Sequence, residues 1–285
     1  MTFRLSPAAR LDGHRLHSHD RLGSTNTEAL ARARDGETGP LWVATRVQEA
    51  GRGRRGNVWQ SPEGNLFASL LWPVQGVAPE MVATLGFVAG VALVDAIRDV
   101  ARVSPPPCGE AAVPSAPPPP LPLPARGRGQ EAFRLKWPND VLMDGQKLAG
   151  ILLEAEQLPG GRRAVVIGFG VNVAAAPDDL PYPAAALRPA HAVDAPILLE
   201  SLTERFVEAA RIWNKGRGFQ NIRQLWLERA AGVGAPVSVR TAETVLSGTF
   251  DTIDEGGRLV ILAPDGTRRT VTAGEVHFGR AATAA

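Results

Sequence analysis

A single cysteine, Cys108, stands among the 285 residues. With no second thiol there is no disulfide framework and no cysteine zinc site, and a reducing cytoplasm is the natural compartment. No apolar run suits a bilayer either. The longest uncharged stretch, residues 81–94, is closed by Glu80 and Asp95 and falls short of the roughly 18 to 20 residues that a span needs. It reads as a core helix. The N-terminal residues include Arg4, Arg10, Asp12, His14, Arg15, His17 and His19, with no apolar block that would serve as a secretion signal. Charge of one sign is scarce as well. The formal net charge is +2, too slight for a protein that binds nucleic acid over its whole surface. His14, His17 and His19 lie in a polar leader with no carboxylate cluster beside them, so they read as solvated side chains and not as metal ligands.

What is present is an ordinary globular composition, 44% hydrophobic and 21% charged, sufficient for one large domain and a small one. Thr25 and Glu28 have capping-box spacing ahead of Ala29, Leu30, Ala31 and Ala33, which predicts a helix from about Asn26. Residues 41–47 and 66–72 have strand composition, and 79–100 predict a long helix. Ten prolines crowd the segment between Val103 and Gln130. They remove backbone donors and favour polyproline II, and strand-like sequence resumes at 133–137, so residues 104–129 are placed as a surface loop inserted within one domain.

Beyond the insert, 141–143 and 147–154 flank Asp144-Gly145 as a hairpin, and 164–173 form the next strand. Gly168-x-Gly170 in that strand lacks a third glycine and a following helix pattern, so close backbone packing is expected there instead of dinucleotide binding. Residues 198–213 and 219–230 predict amphipathic helices. From Gly232 short alternating segments, separated by Glu255-Gly256-Gly257 and Pro264-Asp265-Gly266, predict a small closed barrel.

The densest chemical signal is GRGRRGNVWQSPEGNL at residues 51–66. Gly51, Gly53 and Gly56 free the backbone to wrap an anion, while Arg52, Arg54 and Arg55 supply forked donors matched to phosphate oxygens. Alone, this cluster is equally a solvated basic loop or a nucleic-acid patch. Trp59, Pro62, Leu66, Phe67, Leu70 and Leu71 follow at once, which pins the loop to a core as binding loops are pinned.

A Ser24-Thr25-Asn26 triplet and Gln48 precede this loop. After it come Lys136-Trp137-Pro138-Asn139-Asp140, then Lys147-Leu148-Ala149-Gly150-Ile151-Leu152-x-Glu154, then Gly168-x-Gly170-x-Asn172. In this order and spacing the motifs resemble the biotin protein ligases, from residue 22 to the C-terminus apart from the proline-rich insert. The resemblance implies an α+β catalytic domain with a mixed sheet, similar to the class II synthetases, over 1–231, and an SH3-like β-barrel over 232–285. It implies ATP with Mg2+ as one substrate, biotin as the other, and the lysine of a biotin carboxyl carrier domain as acceptor.

Carried over residue by residue, Ser24, Thr25, Asn26 and Gln48, with Gly51 and Gly150 lining the slot, would hold the biotin ureido ring. Arg52 and Arg54, with Gly53 between them, would order over the biotin carboxylate and the phosphates. Lys147 would contact the adenylate, Asp140 would orient the acceptor amine or the adenosine side, and Trp59 would close the pocket. Asn139 and Asn172 stand at positions that resemble nucleotide contacts, with a structural hydrogen bond the equal alternative for Asn172. Lys136 reads as a surface charge. Glu275 fills the family's expected GE pair in the barrel, and Arg280 is not assigned to ATP. Only a short polar stretch precedes Ser24, so the winged helix-turn-helix of the repressing members is not expected and neither DNA nor a membrane is an expected partner; a homodimer is left open. A lipoate or octanoate ligase is the nearest competitor, though an apolar acyl chain needs no ureido partners. A nucleic-acid-binding module built on the arginine loop is the rival from another class.

The insert supplies a first test. Replacing residues 104–129 by a short Gly/Ser turn should leave the melting temperature and carrier biotinylation nearly unchanged, and limited proteolysis should cut first near Arg126 or Arg128. A shortened chain that failed to fold or to modify its carrier would put the segment in the core or the partner interface.

Overall fold

The computed structural model describes residues 2–103, 132–178, 180, 182–188, 190–241 and 244–278. The proline-rich segment, Gly279 and Arg280 lie outside the described residues. Strands β1 (Arg15–Leu22), β2 (Leu41–Gln48), β3 (Leu66–Trp72), β4 (Phe133–Lys136), β5 (Asp140–Met143), β6 (Gln146–Gln157) and β7 (Arg163–Val171) form one sheet in the order β1-β2-β3-β7-β6-β5-β4. The β1 to β2 pairing is parallel and the others are antiparallel, which makes the sheet mixed. Asp144 and Gly145 close the β5–β6 hairpin with φ of 49° and 81°, the left-handed pair that a two-residue hairpin turn of this twist requires.

Period-two alternation assigns the two faces. Leu41, Val43, Leu71, Ala164 and Val166 pack with Ala29, Leu30 and Ala33 of α2 (Thr25–Arg34). The intervening side chains, among them Trp42, Ala44, Leu70, Val165, Ile167 and Phe169, face a larger core. Helices α3 (Leu85–Val103), α4 (Ala195–Trp213) and α5 (Phe219–Arg229) fill that core. By composition the stretch Pro79–Arg102 would suffice to cross a membrane, yet it is mostly buried inside the protein. It is a core helix. Its first six residues, Pro79–Thr84, wind as 3-10, and the Thr84 hydroxyl at their end donates to the Met81 carbonyl at 2.5 Å and accepts from Trp213 Nε1 at 2.8 Å.

Strands β8 (Pro236–Arg240), β9 (Val245–Ile253), β10 (Leu259–Leu262), β11 (Arg268–Val271) and β12 (Glu275–Phe278) make an antiparallel sheet in the order β11-β10-β9-β8-β12. Among the described residues no ladder joins β11 to β12, so the expected closure of the barrel is not made by strand pairing. Gly257 in the β9–β10 turn sits at φ 81°, where an added Cβ would meet the Phe87 ring at 2.6 Å. This turn also accepts from Trp137 Nε1 through the Gly257 carbonyl at 3.2 Å, which seats the small sheet beside the Trp137 turn.

Two expectations fail at the N-terminus. Thr25 and Glu28 form no capping box: Ser24 is the N-cap, Thr25 already lies in the helix with its hydroxyl turned to Gln48, and Glu28 pairs with Arg32 at 2.8 Å. Nor is the leader wholly solvated: His17 and His19 are half-buried, and His14 is buried. Residues 7–11 form the short helix α1 (Pro7–Leu11), β1 extends the sheet, and Phe3, Leu5 and Ala9 are buried. His14 is 4% exposed and accepts a hydrogen bond from Trp42 Nε1 at 2.9 Å through Nδ1, against the Trp42 and Trp72 rings. The sparse apolar residues concealed this, since few are needed to cover one sheet edge.

Burial holds the His14 imidazole down from its usual 6.5 to about 4, offset in part by Asp12. Between those values the unfolded chain binds more protons, so stability falls as pH drops through that window. Lowering pH from 7 to 5 should remove about 2 kcal/mol through this group alone. In His14→Gln, which can still accept from Trp42, the difference between urea unfolding free energies at the two pH values should shrink by about that amount. An unchanged difference would show that His14 does not titrate between the two states.

Candidate active site

On the face of β7 that packs α2, the side chains shrink along the strand from Ala164 and Val166 to Gly168 and Gly170. The gap is filled from elsewhere. A Cβ at Gly168 would overlap the Asn26 amide, and one at Gly170 would come within 2.5 Å of the Trp59 ring. Gly170 is paired across strands with Gly150, where a Cβ would lie 3.0 Å from the same ring. Trp59 therefore lies flat on a cross-strand glycine pair, and the close packing expected of Gly168-x-Gly170 is packing of site residues.

Around Asn26 the buried polar groups form a continuous ladder. Thr25 donates its backbone N–H and its hydroxyl to Gln48 Oε1 at 2.9 and 3.1 Å, and Gln48 Nε2 reaches Ser61 Oγ at 3.3 Å. Ser69 Oγ stands 2.7 Å from Thr25 Oγ1 and 2.5 Å from Asn26 Oδ1. Asn26 Nδ2 donates to Glu154 Oε2 at 2.6 Å. Ser24, Thr25, Asn26 and Ser69 are all buried, where unpaired polar groups would be destabilising. Of this ladder, Thr25, Asn26 and Gln48 also line the cavity described below, so it presents both hydrogen-bond donors and acceptors there.

The arginine loop folds back on itself through an Arg52 to Val58 bridge, with Gly53 N–H on the Asn57 carbonyl at 2.7 Å. Arg55 and Gly56 take left-handed φ of 57° and 78° at its tip, while Gly51 is fixed by contact, since a Cβ there would press on Trp59 and Ser61. Arg52 Nη2 lies 3.2 Å from Thr27 Oγ1 and 3.3 Å from Glu154 Oε2. Arg54 donates to Asn139 Oδ1 at 3.1 Å. Burial pulls the Arg54 guanidinium below its ordinary pKa, the adjacent Arg55 adds to this, and Asp140 opposes it.

Opposite, Lys147 Nζ makes an ion pair with Asp140 at 2.9 Å and lies 5.6 and 5.3 Å from the Trp59 and Tyr182 ring centroids. A solvated hairpin lysine would have none of these neighbours. The strap carrying Tyr182 is tied beside it, since Lys147 N–H bonds the Pro183 carbonyl and Ala185 N–H the Lys147 carbonyl, both at 2.9 Å.

These groups line one cavity of about 830 Å³, near the upper end for ligand sites. It gathers Ser24, Thr25, Asn26, Gln48, Arg52, Gly53, Arg54, Trp59, Asn139, Asp140, Lys147 and Gly150. Gly51 and Asn172 are not on its wall. Asn172 bonds the strap instead, its Nδ2 donating to the Ala185 carbonyl at 3.1 Å. Lys136, read as a surface charge, does reach the cavity, with Nζ 6.0 Å above the Phe278 ring centroid. Arg240 and residues 274–278 add a wall from the small sheet.

Six lysines and arginines face only two carboxylates, Asp140 and Glu275, so the cavity attracts polyanions. Among the described residues no group of three or more His, Cys, Asp or Glu could hold a metal ion. Sequence reasoning gave no place in the site to Ser69, Ser61 or Tyr182, and it named Glu275 of β12 without placing that strand at the cavity. For Ser69 a signal existed: a lone hydroxyl inside the apolar run of β3.

Residues 19–172 match the biotin/lipoate A/B protein ligase family, and residues 232–279 the biotin protein ligase C-terminal domain. The biotin-(acetyl-CoA-carboxylase) ligase of Paracoccus denitrificans is 39% identical over 269 residues, covering 91% of this chain and 98% of the relative. The bifunctional ligase/repressor of Bacillus subtilis is 28% identical, over 94% of this chain and 75% of its own length. Among solved structures, the biotin protein ligase of Aquifex aeolicus in complex with biotin and ATP shares the fold at a TM-score of 0.69 and 20% identity, over 93% of this chain and 99% of that one. The Leishmania major biotin protein ligase in complex with biotinyl-5-AMP has a TM-score of 0.60 at 22% identity, over 91% and 99%. A family match across more than half the chain, joined to a relative of this identity along nearly its whole length, establishes that this chain belongs to the biotin/lipoate A/B protein ligase family.

Proposed function

We propose that this chain activates biotin with MgATP as biotinyl-5′-AMP and transfers the biotinyl group to a lysine of a carrier domain, such as that of acetyl-CoA carboxylase. The observation that carries the reading is the joining, in one cavity, of a buried polar ladder and a cation cluster. The ladder suits the ureido ring, a small bicycle with both donors and acceptors, and the apolar Trp59 suits the rest of the bicycle.

In the first step a biotin carboxylate oxygen attacks the α-phosphorus of ATP, and the bond to the β-phosphate breaks to release pyrophosphate. Arg52, Arg54 and Lys147 supply donors where negative charge gathers on the phosphoryl oxygens. Asp140 holds the Lys147 ammonium at 2.9 Å and so fixes its direction. In the second step the amine of the carrier lysine attacks the acyl carbon, AMP departs with the bridging oxygen, and the amine proton passes to solvent. Adenylation supplies the leaving group that a free carboxylate lacks. Trp59 and the arginine loop keep water from the mixed anhydride until the acceptor arrives. Asn172 acts by bracing the strap.

A lipoate or octanoate substrate would leave the ladder without ligand partners, which makes it the weaker reading. A nucleic-acid module would display its arginines outward, whereas Arg52 and Arg54 engage Glu154, Thr27 and Asn139. The direct test is ATP-dependent transfer of labelled biotin to a carrier-domain fragment, with absence of transfer overturning the reading.

Lys147→Ala should slow biotin-dependent ATP–pyrophosphate exchange by about 10²-fold or more, as for other preorganised charge donors, with much less effect on biotin binding. Near-normal exchange would return Lys147 to a surface role. Arg52→Ala should release more free biotinyl-AMP and label bystander lysines, because a charge-assisted contact is lost from a loop outside the core. Unchanged adenylate retention in a folded protein would remove Arg52 from the site.

A further inference from the structure

Glu154 does not line the cavity, yet one of its oxygens is shared by two residues that do. Oε2 accepts from Asn26 Nδ2 at 2.6 Å and from Arg52 Nη2 at 3.3 Å, and its side chain is 28% exposed. Asn26 has little freedom otherwise. Its Oδ1 is held by Ser69 at 2.5 Å, its amide rests on Gly168, and Nδ2 reaches the Leu152 carbonyl only at 3.5 Å, so Glu154 is the close acceptor of its N–H. Arg52 belongs to a loop outside the core, and within the sheet its ion-pair partner is this carboxylate. The alternation of β6 puts Glu154 two positions from Leu152 and four from Gly150 on the site face, so its backbone is anchored in the ladder to β7. The arginine loop is thus tied to β6 by an ion pair at the atom that also accepts from Asn26, in addition to the contact of Arg54 with Asn139 beside Asp140.

We propose that Glu154 is a positioning residue that couples the polar slot to the arginine loop, so that a ligand seated against Asn26 also orders Arg52. The inference rests on the reading of the cavity as a biotin and ATP site. A carboxylate is required because it accepts two donors at one oxygen and balances the guanidinium, whereas an amide oxygen holds Asn26 but attracts Arg52 weakly. Contacts that share an atom are not independent, so their removal should not be additive.

The test uses the full chain and four proteins: wild type, Glu154→Gln, Arg52→Ala and the double variant. Biotin dissociation constants are measured together with tryptic cleavage of the loop at Arg54 and Arg55 with and without saturating biotin. In the wild type biotin should protect the loop. In Glu154→Gln biotin should bind about 10-fold more weakly and give little protection even at saturation, while the double variant should fall short of the product of the single effects by about 3-fold or more. Equal protection in Glu154→Gln, or effects that multiply, would overturn the coupling while leaving the biotin reading in place. A wild-type protein that bound no biotin would defeat both. Thermal melts separate loss of coupling from loss of fold, and Glu154→Ala serves if the Gln variant does not fold: it should lose protection as well, and retained protection would refute the role.

Discussion

Two missing side chains, at Gly168 and Gly170, are the constraint on which the site depends. Both lie in β7, in the middle of the sheet, where strands on either side hold the backbone too firmly to move aside. Any Cβ at these positions would collide with Asn26 or Trp59. Because the opposite face of the same strand carries Val165, Ile167 and Phe169 into the main core, the strand can lose its side chains on one face without losing its place in the fold. The face covered by α2 is therefore a floor for α2 at one end and a floor for the cavity at the other. The ladder through Thr25, Asn26, Gln48, Ser69 and Glu154 then follows from burial, since the polar side chains of α2, β2 and β3 over that floor partner one another.

Charge is arranged around the floor with the same economy. The arginines enter on a loop and Lys147 enters on a strand. A strand-borne ammonium fixed by Asp140 and flanked by two rings is preorganised, and a loop-borne guanidinium is adaptable; the proposed adenylation would use both, first to stabilise developing charge and then to retain the product.

Much of this was legible in the chain. The hairpin at Asp144-Gly145, the strands over 41–47 and 66–72 and the turn glycines of the small sheet follow from local chemistry that tertiary contacts had no reason to override. The cation cluster alone read equally as a solvated basic loop, and it was legible because the apolar run that follows it pins it to the core. The N-terminal stretch was not legible, because a strand at a sheet edge needs few apolar residues and a buried histidine looks polar in a sequence. Thr25 and Glu28 had the spacing of a cap, but Gln48 from β2 competes for the hydroxyl and wins. Ser69 and Glu154 became meaningful only when the sheet brought β3 and β6 to opposite sides of Asn26.

The central claim is that the buried ladder over the glycine floor selects a ureido-bearing acid. Calorimetric titration of biotin and lipoate into wild type and Ser69→Ala tests it most directly. The account predicts saturable binding of biotin, no comparable binding of lipoate, and roughly 10-fold weaker biotin binding in Ser69→Ala, the scale for breaking one buried hydrogen-bonded contact. Equal affinity for the two acids, or a Ser69→Ala protein that binds biotin as the wild type does, would contradict it.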